Sequence, residues 1–143
     1  MSVFWDSSAL IHLFCDQGNT QAAEKFFVVN PKMIVWWGSI AECVSAISRL
    51  ERESHLNETQ ATLACKRLTE FRKVWFEVCP VEHLLQKAVR LLRVHALRSA
   101  DAFQLAAALC ANADRVSGLS VLSFDKKLLG AASREGLTVA DSF

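Results

Sequence analysis

Met33-Ile34-Val35-Trp36-Trp37, then Gly38-Ser39, then Ile40-Ala41-Glu42, is the stretch on which the fold turns. An unbroken apolar run without polar alternation reads as a strand covered on both faces, because a half-exposed strand alternates with period two. Gly38-Ser39 reads as a turn. From Ile40 to about Glu53, Ile40, Val44, Ile47 and Leu50 recur at the three- and four-residue spacing of an amphipathic helix. A buried strand feeding directly into a helix is half of a parallel crossover unit.

The same alternation extends in both directions. Upstream, Val3-Phe4-Trp5 is a short apolar strand ending at Asp6; Ala9 to Cys15 follows at helical spacing, closed by Asp16, Gly18 and Asn19. Thr20 to about Phe27 makes a second helix, ending before Asn30-Pro31. Downstream, Asn57 opens a helix over Glu58 to Lys73, Val74 to Val78 is a third strand, and Pro80 marks the start of the helix Val81 to His95. The Ala-rich segment Ala100 to Cys110 is apolar on most sides and is expected at the centre. Leu119 to Phe124 is a fourth strand, Lys126 to Arg134 a helix stopped by Gly136, and Leu137 to Ala140 a last strand. These elements predict a three-layer α/β arrangement: a mainly parallel central sheet of four to five strands, flanked by helices.

The 143 residues suffice for one continuous core, so a single domain over 1–143 is expected. With 52% hydrophobic and 22% charged residues, five Gly and two Pro, little of the chain reads as linker. Cys15, Cys43, Cys65, Cys79 and Cys110 are odd in number and contain no C-x-x-C pair, which predicts reduced and mostly buried thiols. The N-terminus lacks a basic, then apolar, leader, and no run of about 20 apolar residues occurs. A cytoplasmic protein without a membrane partner is expected. The net charge of +1 means that any affinity for nucleic acid must come from a local patch.

Asp6, Glu42, Asp101 and Asp125 stand out, although each has a local explanation. Asp6 can cap the helix after it. Ser39-Ile40-Ala41-Glu42 fits the S-x-x-E capping box. Asp101 in the first turn of its helix and Asp125 at a strand-to-helix junction both suit the helix dipole. Their shared placement is what singles them out. Asp6, Glu42 and Asp125 all come at or just after the carboxyl end of a strand, where open α/β sheets hold their ligands. Asp101 opens the most apolar helix, where an unpartnered charge is costly. Carboxylates converging there raise one another's pKa unless a cation neutralises them. Oxygen-only ligands suit Mg²⁺ or Mn²⁺, and the absence of a His/Cys cluster argues against zinc. Such an ion can activate water against a phosphodiester, which is nuclease chemistry.

Four blocks, in order, resemble the PIN domain family, and within it the VapC-type toxins of toxin–antitoxin pairs. They are Val3-Phe4-Trp5-Asp6-Ser7-Ser8-Ala9-Leu10, Ser39-Ile40-Ala41-Glu42, Leu97-Arg98-Ser99-Ala100-Asp101-Ala102-Phe103-Gln104-Leu105-Ala106, and Val121-Leu122-Ser123-Phe124-Asp125-Lys126-Lys127-Leu128. The resemblance implies that Asp6, Glu42, Asp101 and Asp125 form an acidic pocket that is both catalytic and metal-holding, with Mg²⁺ as cofactor and Mn²⁺ as substitute. It implies RNA as substrate, a cognate antitoxin as partner and a homodimer. Ser8 and Ser123 match small polar residues that support the acids. The bulk of Trp36-Trp37 departs from the family and is expected to narrow or cover the groove.

Arg98, three residues before Asp101, is expected to hold a phosphate or to pair with a site carboxylate. Arg49, two turns after Glu42, and Lys126 and Lys127, after Asp125, are candidates for lining an RNA path. His12, His55, His83 and His95 are scattered and receive no catalytic role. Most of the aromatic residues, Trp75 and Phe76 among them, read as core. The competing reading is a non-catalytic PIN-like module that binds RNA or protein. A haloacid-dehalogenase-like phosphatase would need an acid where Ser8 stands, and a receiver-type phosphoacceptor would need a Lys in the last strand.

Overall fold

The computed structural model describes residues 1–16 and 18–143; Gln17, in the stretch expected to close the first helix, lies outside them. In chain order the elements are β1 (Ser2–Trp5), α1 (Ser7–Leu10) with a 3₁₀ turn (Ile11–Leu13), α2 (Thr20–Val29), β2 (Met33–Trp36), α3 (Ser39–Arg52), α4 (Glu58–Arg72), β3 (Phe76–Val78), α5 (Glu82–Val94), α6 (Ser99–Ala113), β4 (Leu119–Leu122), α7 (Lys126–Arg134) and β5 (Thr138–Val139). The five strands form one sheet in the order β3-β2-β1-β4-β5, and every pairing is parallel. This is the three-layer α/β architecture expected from the non-alternating strands.

The period-two geometry of the strands sends side chains to two cores. Phe4, Ile34 and Val121 pack with α5, α6 and α7 on one face. Val3, Trp5, Met33, Val35 and Leu122 pack with α1 to α4 on the other. Because both faces are covered, β1, β2 and β4 are apolar at almost every position. The central placement of α6 follows from its sequence: Ala102, Leu105, Ala106, Ala107 and Ala108 are all buried, and small side chains let the helix lie close to the sheet.

Several boundaries differ from expectation. The third strand is shorter than Val74 to Val78: Trp75 is buried, but Phe76 is 64% exposed, because β3 is an edge strand with one face outside the core. The fourth strand stops at Leu122, where Ser123 turns inward. The first helix tightens into a 3₁₀ turn over Ile11–Leu13 in place of running on to Cys15. Asn57 does open α4, through a reciprocal capping box with Gln60. The five cysteines are free thiols; Cys15 and Cys43 are buried and Cys79 is exposed.

The order of connection positions the site. The chain steps outward from β1 to β2 to β3, then crosses back to place β4 on the other side of β1. The carboxyl ends of β1 and β4 therefore flank the point where the winding reverses, the ordinary location of a crevice in an open parallel sheet. Asp6 follows β1 and Asp125 lies just beyond β4.

Candidate active site

Asp6 is 3% exposed, and its carboxylate is held by two serines, one from each side of that crevice. The hydroxyls of Ser8 and Ser123 both donate to Oδ2, at 2.6 and 2.7 Å. The two serine oxygens also lie 3.1 Å apart, but each hydroxyl has one hydrogen and both are committed to Asp6. Their lone pairs are used too: the Phe124 N–H donates to Ser8 and the Asp125 N–H to Ser123, at 2.9 and 3.0 Å. Asp6 makes no side-chain cap to α1, so helix capping does not explain it.

Glu42 does not complete a capping box. Ser39 is fully buried and accepts a hydrogen bond from Gln104, and α3 begins without a side-chain cap. The Glu42 carboxylate is instead held by two other elements: Ser7 Oγ donates to Oε1 at 3.0 Å and Gln104 Nε2 to Oε2 at 2.8 Å. Ser7 Oγ is also 3.4 Å from Asp6 Oδ1, so it stands between the two acids. Asp125 does cap its helix, accepting from the N–H groups of Lys127 and Leu128 at 2.9 and 3.2 Å through the single oxygen Oδ1. Its Oδ2 takes no part in the cap.

Glu42, Asp101 and Asp125 line one cleft of 840 Å³, together with Arg49, Arg98 and Lys127. Asp6 is buried and is not among the residues that line the cleft. Burial pushes the Glu42 carboxyl up from its ordinary range, with Asp6 and Asp101 adding to the rise and the bonds from Gln104 and Ser7 opposing it. Asp101 is pushed up by burial and then by Asp125 and Asp6, against the pull of Arg98. The Cys43 thiol is driven up by burial and then by Glu42 and Asp6. The four acids thus share one negative field.

An oxygen-only donor set under mutual repulsion fits a hard divalent cation in chemistry. Among the described residues, no three Asp, Glu, His or Cys side chains are gathered closely enough to hold one ion as they stand. The acids share a field before they share a ligand point.

The other expected residues divide. Arg49, Arg98 and Lys127 are exposed on the cleft, whereas Lys126 is exposed outside its lining. No ion pair among the described residues involves Arg98, so the pairing with a site carboxylate is not made. Trp36 and Trp37 do not cover the acids. Trp36 is buried, stacked on Phe103 at 5.7 Å between centroids, and both Trp residues line a separate apolar groove with Pro80, Val81 and Leu85. Residues assigned no role in the sequence, Ser7 and Gln104, contact the site directly; Gln104 carried a signal, as a polar side chain three residues after Asp101 in an Ala-rich helix.

Among solved structures, the chain is similar to VapC20 of Mycobacterium tuberculosis, described as a sarcin-ricin loop cleaving toxin, with 17% identity and a TM-score of 0.67 over 97% of this chain and 98% of that one. It is similar to FitAcB of Neisseria gonorrhoeae, with 14% identity and a TM-score of 0.67 over 97% and 96% of the two chains. A toxin–antitoxin complex from Klebsiella pneumoniae gives 17% identity and a TM-score of 0.64 over 90% and 92%. At such identities the likeness is one of fold. No curated protein sequence matches the chain. The PIN domain model matches residues 3–133, a span that includes all four acids. The chain belongs to the PIN domain family.

Proposed function

We propose that this chain is a single PIN domain over 1–143 acting as a divalent-metal-dependent endoribonuclease, the toxin of a toxin–antitoxin pair. The observation that carries this reading is the cleft itself: Glu42, Asp101 and Asp125 line it, the buried Asp6 is coupled to them in charge, and Arg49, Arg98 and Lys127 share the lining. Membership of the PIN family, the description of VapC20 as a cleaving toxin and that of the Klebsiella complex as toxin with antitoxin support it.

Asp6, Glu42, Asp101 and Asp125 would hold Mg²⁺, or Mn²⁺ in its place. Bound there, the ion supplies charge neutralisation and activates water and phosphate for in-line attack. The chain's own residues do the rest. Ser8 and Ser123 anchor Asp6, and Ser7 and Gln104 anchor Glu42, so each carboxylate keeps its orientation. General-base work falls to a carboxylate of this set or to the metal-bound water. Arg49, Arg98 and Lys127 draw the RNA backbone across the acids, which would otherwise repel it.

For the homodimer, a stripe of exposed apolar residues along α5 and its N-cap, Val81, Leu85, Val89 and Leu92, offers a surface. No helix among the described residues is long and apolar enough to cross a membrane. The test of function is cleavage of structured RNA with Mg²⁺ or Mn²⁺. Asp6→Asn and Asp101→Asn abolish it while circular dichroism stays native; activity retained in both variants refutes the reading. A pure binding module would bind the same RNA without metal-dependent turnover.

A further inference from the structure

We propose that Gln104 is a positioning residue that clamps Glu42 against Asp101, setting the distance between two of the carboxylates that hold the metal. The proposal rests on the metal-dependent reading of the cleft above. Gln104 is fully buried in a helix whose other buried residues are Ala and Leu. Its two amide hydrogens are both used, donating to Ser39 Oγ at 2.9 Å and to Glu42 Oε2 at 2.8 Å. The acceptors fix the orientation of the amide, since a flipped group would set its carbonyl against the carboxylate.

That orientation leaves Gln104 Oε1 buried with no partner among the described residues. An orphan carbonyl costs free energy that a Leu or Met of similar volume would not, so packing alone does not account for this residue. What the amide gains is a link from the second turn of α6 to the first turn of α3. Ser39 and Glu42 lie three residues apart at the start of α3, and Asp101 and Gln104 three apart at the start of α6, each pair on one helix face. The amide that holds Glu42 therefore comes from the helix that carries Asp101. Gln104 holds Glu42 from the α6 side and Ser7 holds it from the α1 side. With the amide gone, only Ser7 restrains Glu42.

The test is Mn²⁺ binding by the purified chain, followed by electron paramagnetic resonance, with melting in EDTA as a separate readout. Gln104→Met keeps the volume and removes the donors. It is expected to weaken Mn²⁺ about 10- to 100-fold, the usual effect of losing a group that orients a metal ligand, while melting in EDTA moves by no more than a few degrees. Gln104→Asn draws the amide back by one methylene and carries the same expectation. A folded variant that binds Mn²⁺ within threefold of the parent overturns the proposal, and so does unfolding of both variants, which would make Gln104 a structural residue. A parent chain that binds no Mn²⁺ refutes the metal reading itself, an outcome distinct from equal binding by parent and variant.

Discussion

The Ser123 hydroxyl donates to Asp6 Oδ2 at 2.7 Å and accepts the Asp125 N–H at 3.0 Å, so one side chain beyond β4 sets the acids beyond both β1 and β4. Ser8 does the same from the β1 side, donating to Asp6 and accepting the Phe124 N–H. The backbone joins them as well, through the Asp6 N–H to the Leu122 carbonyl at 3.0 Å. The crevice at the switch in winding is thereby stitched at its base.

Removing a stitch should be felt in both stability and activity. Ser123→Ala leaves a buried carboxylate with one donor fewer and a backbone N–H without its acceptor, a loss of roughly 1 to 3 kcal/mol. Ser8→Ala is expected to cost a similar amount. Urea denaturation of both single variants and the double variant checks this; because the serines share Asp6, the double loss should differ from the sum of the single losses. Strict additivity would show that the network does not act as a unit.

Asp125 has two jobs that substitution can separate. Asp125→Asn keeps an oxygen for the Lys127 and Leu128 N–H groups, so stability should change by only a few tenths of a kcal/mol while RNA cleavage is lost. Asp125→Ala removes the cap as well and should cost about 1 kcal/mol more. Thermal melts beside cleavage assays distinguish the two, and a cleaving Asn variant would assign Asp125 to capping alone.

Asp101 makes folding sensitive to pH in a direction that can be worked out. Its carboxyl titrates higher in the folded chain than in the unfolded one, so between the two values the folded state holds more protons. Its contribution is therefore present at low pH and lost as pH rises past about 4, the ordinary aspartate value. Asp101→Asn should accordingly melt above the parent near neutral pH in EDTA, with the gap closing toward pH 4. Mn²⁺ should raise the melting of the parent and not of the variant. A variant that melts below the parent at neutral pH would contradict the shared field.

Gly38 is held to glycine by space and not by its backbone angle, φ −73°. A Cβ there would lie 2.5 Å from Trp36 Nε1. Gly38→Ala must displace the indole from its stack on Phe103 or shift the start of α3, which carries Glu42. A cost of about 1 to 3 kcal/mol is expected, with a change in Trp fluorescence. An unperturbed spectrum and melt would mean that the groove yields freely.

The cations on the cleft should be separable from the one outside it. In an Asp101→Asn background, Arg49→Ala, Arg98→Ala and Lys127→Ala should each weaken RNA binding and lower the salt slope by about 0.7 for every phosphate no longer neutralised. Lys126→Ala should do neither. Anisotropy titrations over a range of salt measure both, and equal effects from Lys126 would point to diffuse attraction.

The sequence revealed the sheet and the acids for different reasons. Met33 to Trp36 and Leu119 to Leu122 are legible because a strand buried on both faces must be apolar throughout, and that constraint is local. Their ends are not, since Trp37 and Phe124 continue the apolar run after the backbone has turned. Ser39 and Glu42 match a capping box in spacing, yet both bind Gln104, more than 60 residues away. Local pattern reports which residues can satisfy a helix end; it does not report a distant side chain that competes for them. Arg98, the residue before α6, lies on the cleft as its place before Asp101 suggests, but local spacing does not report whether it meets a carboxylate there.

The most direct test of the central claim is anomalous diffraction from crystals soaked in Mn²⁺. A peak in the cleft within about 2.0 to 2.6 Å of oxygens from at least two of Asp6, Glu42, Asp101 and Asp125 is predicted. Saturating Mn²⁺ with no peak there, or with a peak only elsewhere on the chain, would contradict the reading of these four carboxylates as one metal site.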